Sequence, residues 1–186
     1  MATPVLFDNV SLSNFAAVGR LDLLEARYGY RTPHWVDAVH AEAMEAVRVG
    51  VAYMQAVLDA GWLGDPLSPP TRLKDRKELA TIHIGLNDGR RPPEHHLGEA
   101  ESMYWAGTCG GIFVTDDMGA MGFARRRFPG LRVIDTVDVL RECFENAEVS
   151  CPEAWDVLQA MLEAGRAIRP RTPAVHEDVC PPTGRR

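Results

Sequence analysis

Two short apolar runs in this chain end abruptly in acid. Val5-Leu6-Phe7 stops at Asp8, and Ile112-Phe113-Val114-Thr115 stops at Asp116-Asp117. Runs this short, apolar at every position, predict strands buried on both faces, as in parallel sheets. Leu131-Arg132-Val133-Ile134 predicts a further strand, interrupted by one charge. Parallel strands need long crossovers, usually helical, and the sequence between the runs supplies them. Ser11 is placed to cap a helix whose apolar side is Leu12, Phe15, Ala16 and Val18. Leu21, Leu23 and Leu24 open another, which Gly29 ends. Thr32 as N-cap and Pro33 in the first turn predict a helix through Val36, Val39, Ala43 and Val47. Further helices are expected over 51–58, 73–86, 98–106 and 118–128, with Gly- and Pro-containing loops over 61–70 and 87–93. Thr136 is the expected cap of a helix carrying Val139, Leu140 and Phe144. Ser150-x-Pro152-Glu153 predicts a capping box for a last helix, with Trp155, Leu158, Met161 and Leu162 on one face. Strands alternating with helices predict an α/β fold, a three-layer α/β/α sandwich around a central, mostly parallel sheet. The expected organisation is one domain over 1–149, a packed C-terminal helix over 150–169 and a loose tail over 170–186.

Composition narrows the function classes. Charged residues make up 25% and apolar residues 46%, which are globular proportions and exclude wholesale disorder. No apolar run approaches the roughly 18 residues of a membrane span, and Met1-Ala2-Thr3-Pro4 has neither the basic nor the apolar part of a signal peptide. Cys109, Cys143, Cys151 and Cys180 form no CxxC pair, which disfavours a zinc site and a disulfide framework. A reduced, cytoplasmic setting without membrane contact is the expectation. The formal charge of -6 excludes a general nucleic-acid coat, so a nucleic-acid role has to be local.

In open parallel sheets, ligands sit beyond the carboxyl ends of the strands. Asp8 and the pair Asp116-Asp117 fall there. Carboxylates gathered at one edge repel one another, and a hard cation such as Mg2+ or Mn2+ relieves that repulsion. Such a cation activates water against phosphorus and stabilises a leaving oxygen. The helices offer Glu42, Glu99 and Glu101 as further acids. Positions 99 and 101 point about 200° apart on a helix, so the two serve different sides. Each acid also has a plain structural reading: Asp8, Asp116 and Asp117 as helix caps, Glu42 as a solvated side chain, Glu99 or Glu101 as a favourable first-turn charge. His95-His96, just before this helix, offers a metal role, although an adjacent pair in a loop is usually exposed. Arg125-Arg126-Arg127 suits phosphate contact, with Arg125 and Arg126 the candidates, and equally suits the C-terminus of a helix.

The ordered set of segments resembles the PIN-domain ribonucleases, a group that includes the toxins of bacterial toxin–antitoxin pairs. The resemblance rests on Leu6-Phe7-Asp8-Asn9-Val10-Ser11-Leu12 with Gly19-Arg20-Leu21-Asp22-Leu23-Leu24, and on Ala38-Val39-x-x-Glu42. It continues through Gly98-Glu99-Ala100-Glu101 with Ala106, Ile112-Phe113-Val114-Thr115-Asp116-Asp117, Ala124-Arg125-Arg126 and Val133-Ile134-Asp135-Thr136-Val137-Asp138-Val139-Leu140. It spans roughly residues 3–145. The resemblance implies an acid quartet of Asp8, Glu42, Glu99 and Asp117, with Glu101 and Asp116 as further metal-ligand candidates and Thr115 as a hydroxyl contact. It implies Mg2+- or Mn2+-dependent RNA cleavage, an antitoxin partner and a homodimer. Three features depart from the family. Val10 stands where a small hydroxyl residue is usual, leaving Ser11 or Asn9 to substitute. Glu42 lies about a helical turn late, which keeps Glu45 and Asp37 in play. The insertion over 51–93 is long and matches the family poorly. A non-catalytic RNA- or protein-binding module on the same fold is the alternative. A receiver-like phosphotransfer domain is disfavoured, because its acidic pair comes early and a lysine follows late, whereas Lys77 is the last lysine here.

Overall fold

The apolar runs form the centre of a parallel sheet. The computed structural model describes residues 3–31, 33–87 and 95–168. Strands β1 (Val5–Phe7), β2 (Pro33–His34), β3 (Ile112–Val114) and β4 (Arg132–Ile134) make one four-stranded sheet in the order β2-β1-β3-β4, every pair parallel. Phe7 stands opposite Val114, and Val114 opposite Ile134. β1 and β3 are the inner strands and are wholly buried, which is why neither alternates. The chain is therefore an α/β protein with a parallel sheet.

Nine α-helices are described: α1 (Asn9–Ala17), α2 (Leu21–Tyr28), α3 (Asp37–Arg48), α4 (Gln55–Leu58), α5 (Leu73–Leu86), α6 (Leu97–Cys109), α7 (Met118–Arg127), α8 (Thr136–Glu145) and α9 (Cys151–Glu163). Among the described residues, no helix is long and apolar enough to cross a membrane.

Four local expectations are corrected. Pro33 does not start a helix. It lies in the edge strand β2, a position where proline's missing N–H costs the ladder little. The expected cap Thr32 lies outside the described residues. The helix begins four residues later, at Asp37, and its start is held from outside. The Asp37 N–H donates to Leu67 O at 3.0 Å, and Ala38 N–H donates to a Glu101 carboxylate oxygen at 3.2 Å. Leu67 thereby ties the 61–70 segment to the sheet side, where it also bridges Val36. The expected 51–58 helix is split into a 3-10 turn, Ala52–Met54, and α4. Asp135, not Thr136, caps α8, through a reciprocal capping box with Asp138. Ser150 does cap α9, accepting from Glu153 N–H, but the Glu153 carboxylate turns to Arg20 at 3.0 Å. The buried stripe of α9 is Ala154, Val157, Leu158 and Met161, with Trp155 only half-buried. The expected loop over 88–93 and the expected tail over 170–186 lie outside the described residues.

Gly111 shows how tightly the inner strands approach. A Cβ there would stand 2.8 Å from the Pro4 carbonyl oxygen, a backbone atom on the neighbouring strand segment. Ile112 N–H donates to the same oxygen at 2.8 Å, so the backbone cannot back away without losing that bond. Gly111→Ala is expected to cost about 1–3 kcal/mol by overpacking, read as a lowered midpoint of thermal unfolding by circular dichroism. An unchanged midpoint would contradict this close approach.

Candidate metal centre

The order of the sheet brings the acids together. β1 and β3 are neighbours, so the residues that follow them emerge side by side. Asp8 N–H donates to Val114 O at 3.1 Å, and Thr115 N–H to Ile134 O at 2.9 Å. Asp8 is buried, 1% exposed, and caps α1 by accepting from Ser11 N–H at 2.7 Å. Its other oxygen accepts the Thr115 hydroxyl at 2.5 Å. The Thr115 oxygen in turn accepts from Asp117 N–H at 3.1 Å. One hydroxyl thus couples Asp8 to Asp117. Asp117 caps α7 by accepting from Ala120 N–H at 2.7 Å and keeps its carboxylate half-buried at the sheet edge.

Asp116 points elsewhere. Its carboxylate accepts from Ser11 Oγ at 3.3 Å, Asn14 Nδ2 at 3.0 Å, Thr136 N at 3.1 Å and Thr136 Oγ1 at 2.6 Å. That donor set ties α1, β3 and the start of α8 together. Asp116 reads as the knot of the edge, and a metal ligand at this position would have to give up part of that set. Burial raises its carboxyl above the ordinary range, offset by the Thr136 hydrogen bonds.

The helix acids take two sides, as their spacing requires. Glu101 is 3% exposed and faces the start of α3, where it accepts from Ala38 N–H. Burial raises its carboxyl, with Ala38 N–H opposing. Glu99 faces the other way: its Oε1 lies 3.4 Å from His96 Nδ1. His96, Glu99 and Asp117 each offer a ligand atom, and all of these lie within 4.8 Å of one another. Glu42 is half-buried on α3, and Gly98 leaves room for it: a Cβ on Gly98 would stand 3.1 Å from Glu42 Oε1. Of the alternatives to Glu42, Glu45 is exposed and bound to Arg48, and Asp37 sits at the α3 start beside Glu101.

The electrostatics have one sign. Burial, with the charge of Asp116 added, raises the Asp8 carboxyl to about 7 against the opposing Thr115 and Ser11 hydrogen bonds. Burial and the charges of Glu99 and Glu101 raise Glu42 to about 7. Burial first, and neighbouring carboxylates second, raise both groups, and a bound cation would relieve that cost; among the described residues, His96, Glu99 and Asp117 are the group of ligand atoms close enough to hold a metal ion.

Around this centre the substitutes for the missing hydroxyl divide. Val10 is 36% exposed and points outward. The Ser11 hydroxyl is engaged by Asp116, whereas Asn9 Oδ1 is buried without a hydrogen-bond partner among the described residues. Of the histidine pair, His95 is exposed, as a loop pair usually is, and His96 is the one that stands among the acids. Its half-buried position opposite Glu99 is foreshadowed only by the His-x-x-Glu spacing, which puts both on one turn. Of the residues that orient Asp116, Thr136 has a sequence signal only as a helix-start residue, and Asn14 has none beyond polarity at a helix position.

Compared with protein families, curated proteins and solved structures, the chain matches none.

Proposed function

We propose that this protein is a metal-dependent endoribonuclease of PIN type that hydrolyses RNA phosphodiester bonds, as the toxin of a toxin–antitoxin pair. The observation that carries the reading is the convergence of Asp117, Glu99 and His96 within 4.8 Å, with Asp8 joined to Asp117 through the Thr115 hydroxyl. In this reading Asp8, Glu42, Glu99 and Asp117 hold Mg2+ or Mn2+, and His96 adds an imidazole. When bound, the cation supplies Lewis-acid stabilisation and an activated water. Ser11 N–H and the Thr115 hydroxyl fix the Asp8 carboxylate in one orientation. One of the cluster's carboxylates, Glu42 among them, would take the proton of the attacking water. Glu101 holds the first turn of α3 and so positions Glu42. The helices around the parallel sheet form the outer layers of an α/β/α sandwich. The acidic edge is the face an antitoxin covers, the protein acts in the cytoplasm, and it pairs as a homodimer.

The test is cleavage of a mixed RNA pool in Mn2+ by wild type and by Asp117→Asn. Asparagine keeps the cap on Ala120 N–H, so the fold persists by circular dichroism. Cleavage by wild type and a loss of at least about 100-fold in the variant are expected. Equal activity in both would sink the reading. RNA binding that persists in EDTA, with no cleavage in Mn2+, would favour the non-catalytic module instead.

A further inference from the structure

The three arginines that end α7 have different surroundings. Arg125 donates to the Val133 carbonyl at 3.4 Å, across to β4. Arg127 pairs with Glu78 and lies over the Phe128 ring, 5.4 Å from its centroid. Arg126 is exposed and has no hydrogen bond or ion pair among the described residues. Helical side chains lean toward the N-terminus of their helix. Arg126 does so: its guanidinium lies beside Gly122, one turn back, where a Cβ would meet it at 3.5 Å. It therefore reaches toward Asp117, at the start of the same helix.

Between Arg126 and Asp117 lies a cavity of about 410 Å³. Its walls are α7, the end of α5 and the start of α6, and it shares His96 and Asp117 with the acid cluster. Gly119 lines it as well, so no side chain fills the floor between the acid and the guanidinium. Leu86 and the Phe123 ring give it an apolar wall. That ring is held against α5, because a Cβ on Gly85 would stand 2.4 Å from Phe123 Cε2. Glycines at 119 and 122 cost α7 about 1 kcal/mol each in helix propensity relative to alanine. Gly119 leaves open the part of α7 that lines the cavity, and Gly122 leaves room for the Arg126 guanidinium beside it.

We propose that this cavity is a ribonucleotide subsite, in which Arg126 binds a backbone phosphate and the Phe123–Leu86 wall takes the base of the nucleotide adjoining the acid cluster. The inference rests on the ribonuclease reading for which nucleotide it is, but not for the site itself. An unpaired guanidinium suits a phosphate, which it grips in a fork of donors. An aromatic and aliphatic wall suits a base face without selecting its sequence. The volume is at the low end of small-ligand sites, about 300–1,000 Å³, so it takes one nucleotide of a strand.

The test uses the four ribonucleoside 5′-monophosphates, which contain no phosphodiester to cut, with inorganic phosphate as comparison. They are titrated into the full chain in Mg2+, which is diamagnetic, and followed by amide shifts in NMR spectra. Shifts at Gly119, Gly122 and Phe123 are expected with the nucleotides, and smaller ones with phosphate. Arg126→Gln is expected to weaken the nucleotides about tenfold, the worth of one charge-assisted hydrogen bond, while Arg125→Gln stays within about twofold. Phe123→Leu is expected to weaken nucleotides but not phosphate. Absence of shifts on α7, or equal affinity in Arg126→Gln, would overturn the subsite. Nucleotide binding that depends on Arg126, without cleavage of any RNA, supports the subsite and overturns the ribonuclease. RNA cleavage at the wild-type rate by Arg126→Gln does the reverse.

Discussion

Asp8→Asn is expected to raise the thermal midpoint of the metal-free protein at pH 8 by on the order of 10 °C, and to remove Mn2+ binding. The reasoning starts from burial. Asp8 is almost wholly enclosed, and its carboxyl is raised from 3.8 to about 7. A raised folded-state value means that the folded protein binds the proton more tightly than the unfolded chain. The stabilisation from that proton is complete below about pH 4 and declines as pH rises, until it is gone above about 7. At pH 8 the folded protein therefore carries a buried charge that disfavours it by on the order of 4 kcal/mol. Asparagine removes the charge, still accepts from Ser11 N–H and remains a good N-cap. The measurement is thermal unfolding in EDTA from pH 4 to pH 8, with calorimetric Mn2+ titration beside it. The variant is expected to lose the stability decline that wild type shows between those limits. Mn2+ is expected to raise the midpoint of wild type only. A midpoint difference independent of pH, or Mn2+ binding undiminished in the variant, would contradict a strained carboxyl at this position.

The contrast between what the sequence foretold and what it hid follows the range of the interactions. β1 and β3 were legible because an inner parallel strand is apolar at every position, a property of a few adjacent residues. The acids after them were legible because strand ends at one sheet edge are close by topology. The start of α3 was not, because the groups that hold it, Leu67 O and the Glu101 carboxylate, are about 30 and 63 residues away. A proline after a threonine satisfies the local rule for a helix start, yet the sheet needed an edge strand there and won. Glu101 is the instructive acid. Its spacing from Glu99 showed that the two diverge, but only the packing of α6 on α3 decides that Glu101 serves the helix start while Glu99 faces Asp117. Asp116 was open for a similar reason. Its donors come from α1, about a hundred residues earlier, and from Thr136, 20 residues later.

Glu142→Ala is expected to destabilise the protein by about 3 kcal/mol without altering Mn2+ affinity in the folded fraction. Glu142 is 8% exposed on α8 and gathers three partners from two other elements. Arg27 donates to it at 3.3 Å and Tyr28 OH at 3.1 Å, both from α2, and Arg132 of β4 pairs with its second oxygen. Arg132 is half exposed and turns to water when the carboxylate goes. Arg27 keeps Glu148 at 3.4 Å. The Tyr28 hydroxyl keeps nothing equivalent, and Tyr28 is fully buried. The cost is therefore concentrated in one orphaned hydroxyl and one weakened cation, not in the lost attraction itself. That assignment makes a sharper prediction than the single variant. Tyr28→Phe deletes the group that would be orphaned, so the double variant Glu142→Ala/Tyr28→Phe is expected to be more stable than additivity allows, by about 1 kcal/mol. Urea unfolding of the four proteins measures the cycle. Strict additivity would mean that the hydroxyl finds water in the cavity left by Glu142. A loss of Mn2+ affinity in folded Glu142→Ala would mean that this network, at the α2–α8 side of the sheet, is mechanically joined to the acid edge.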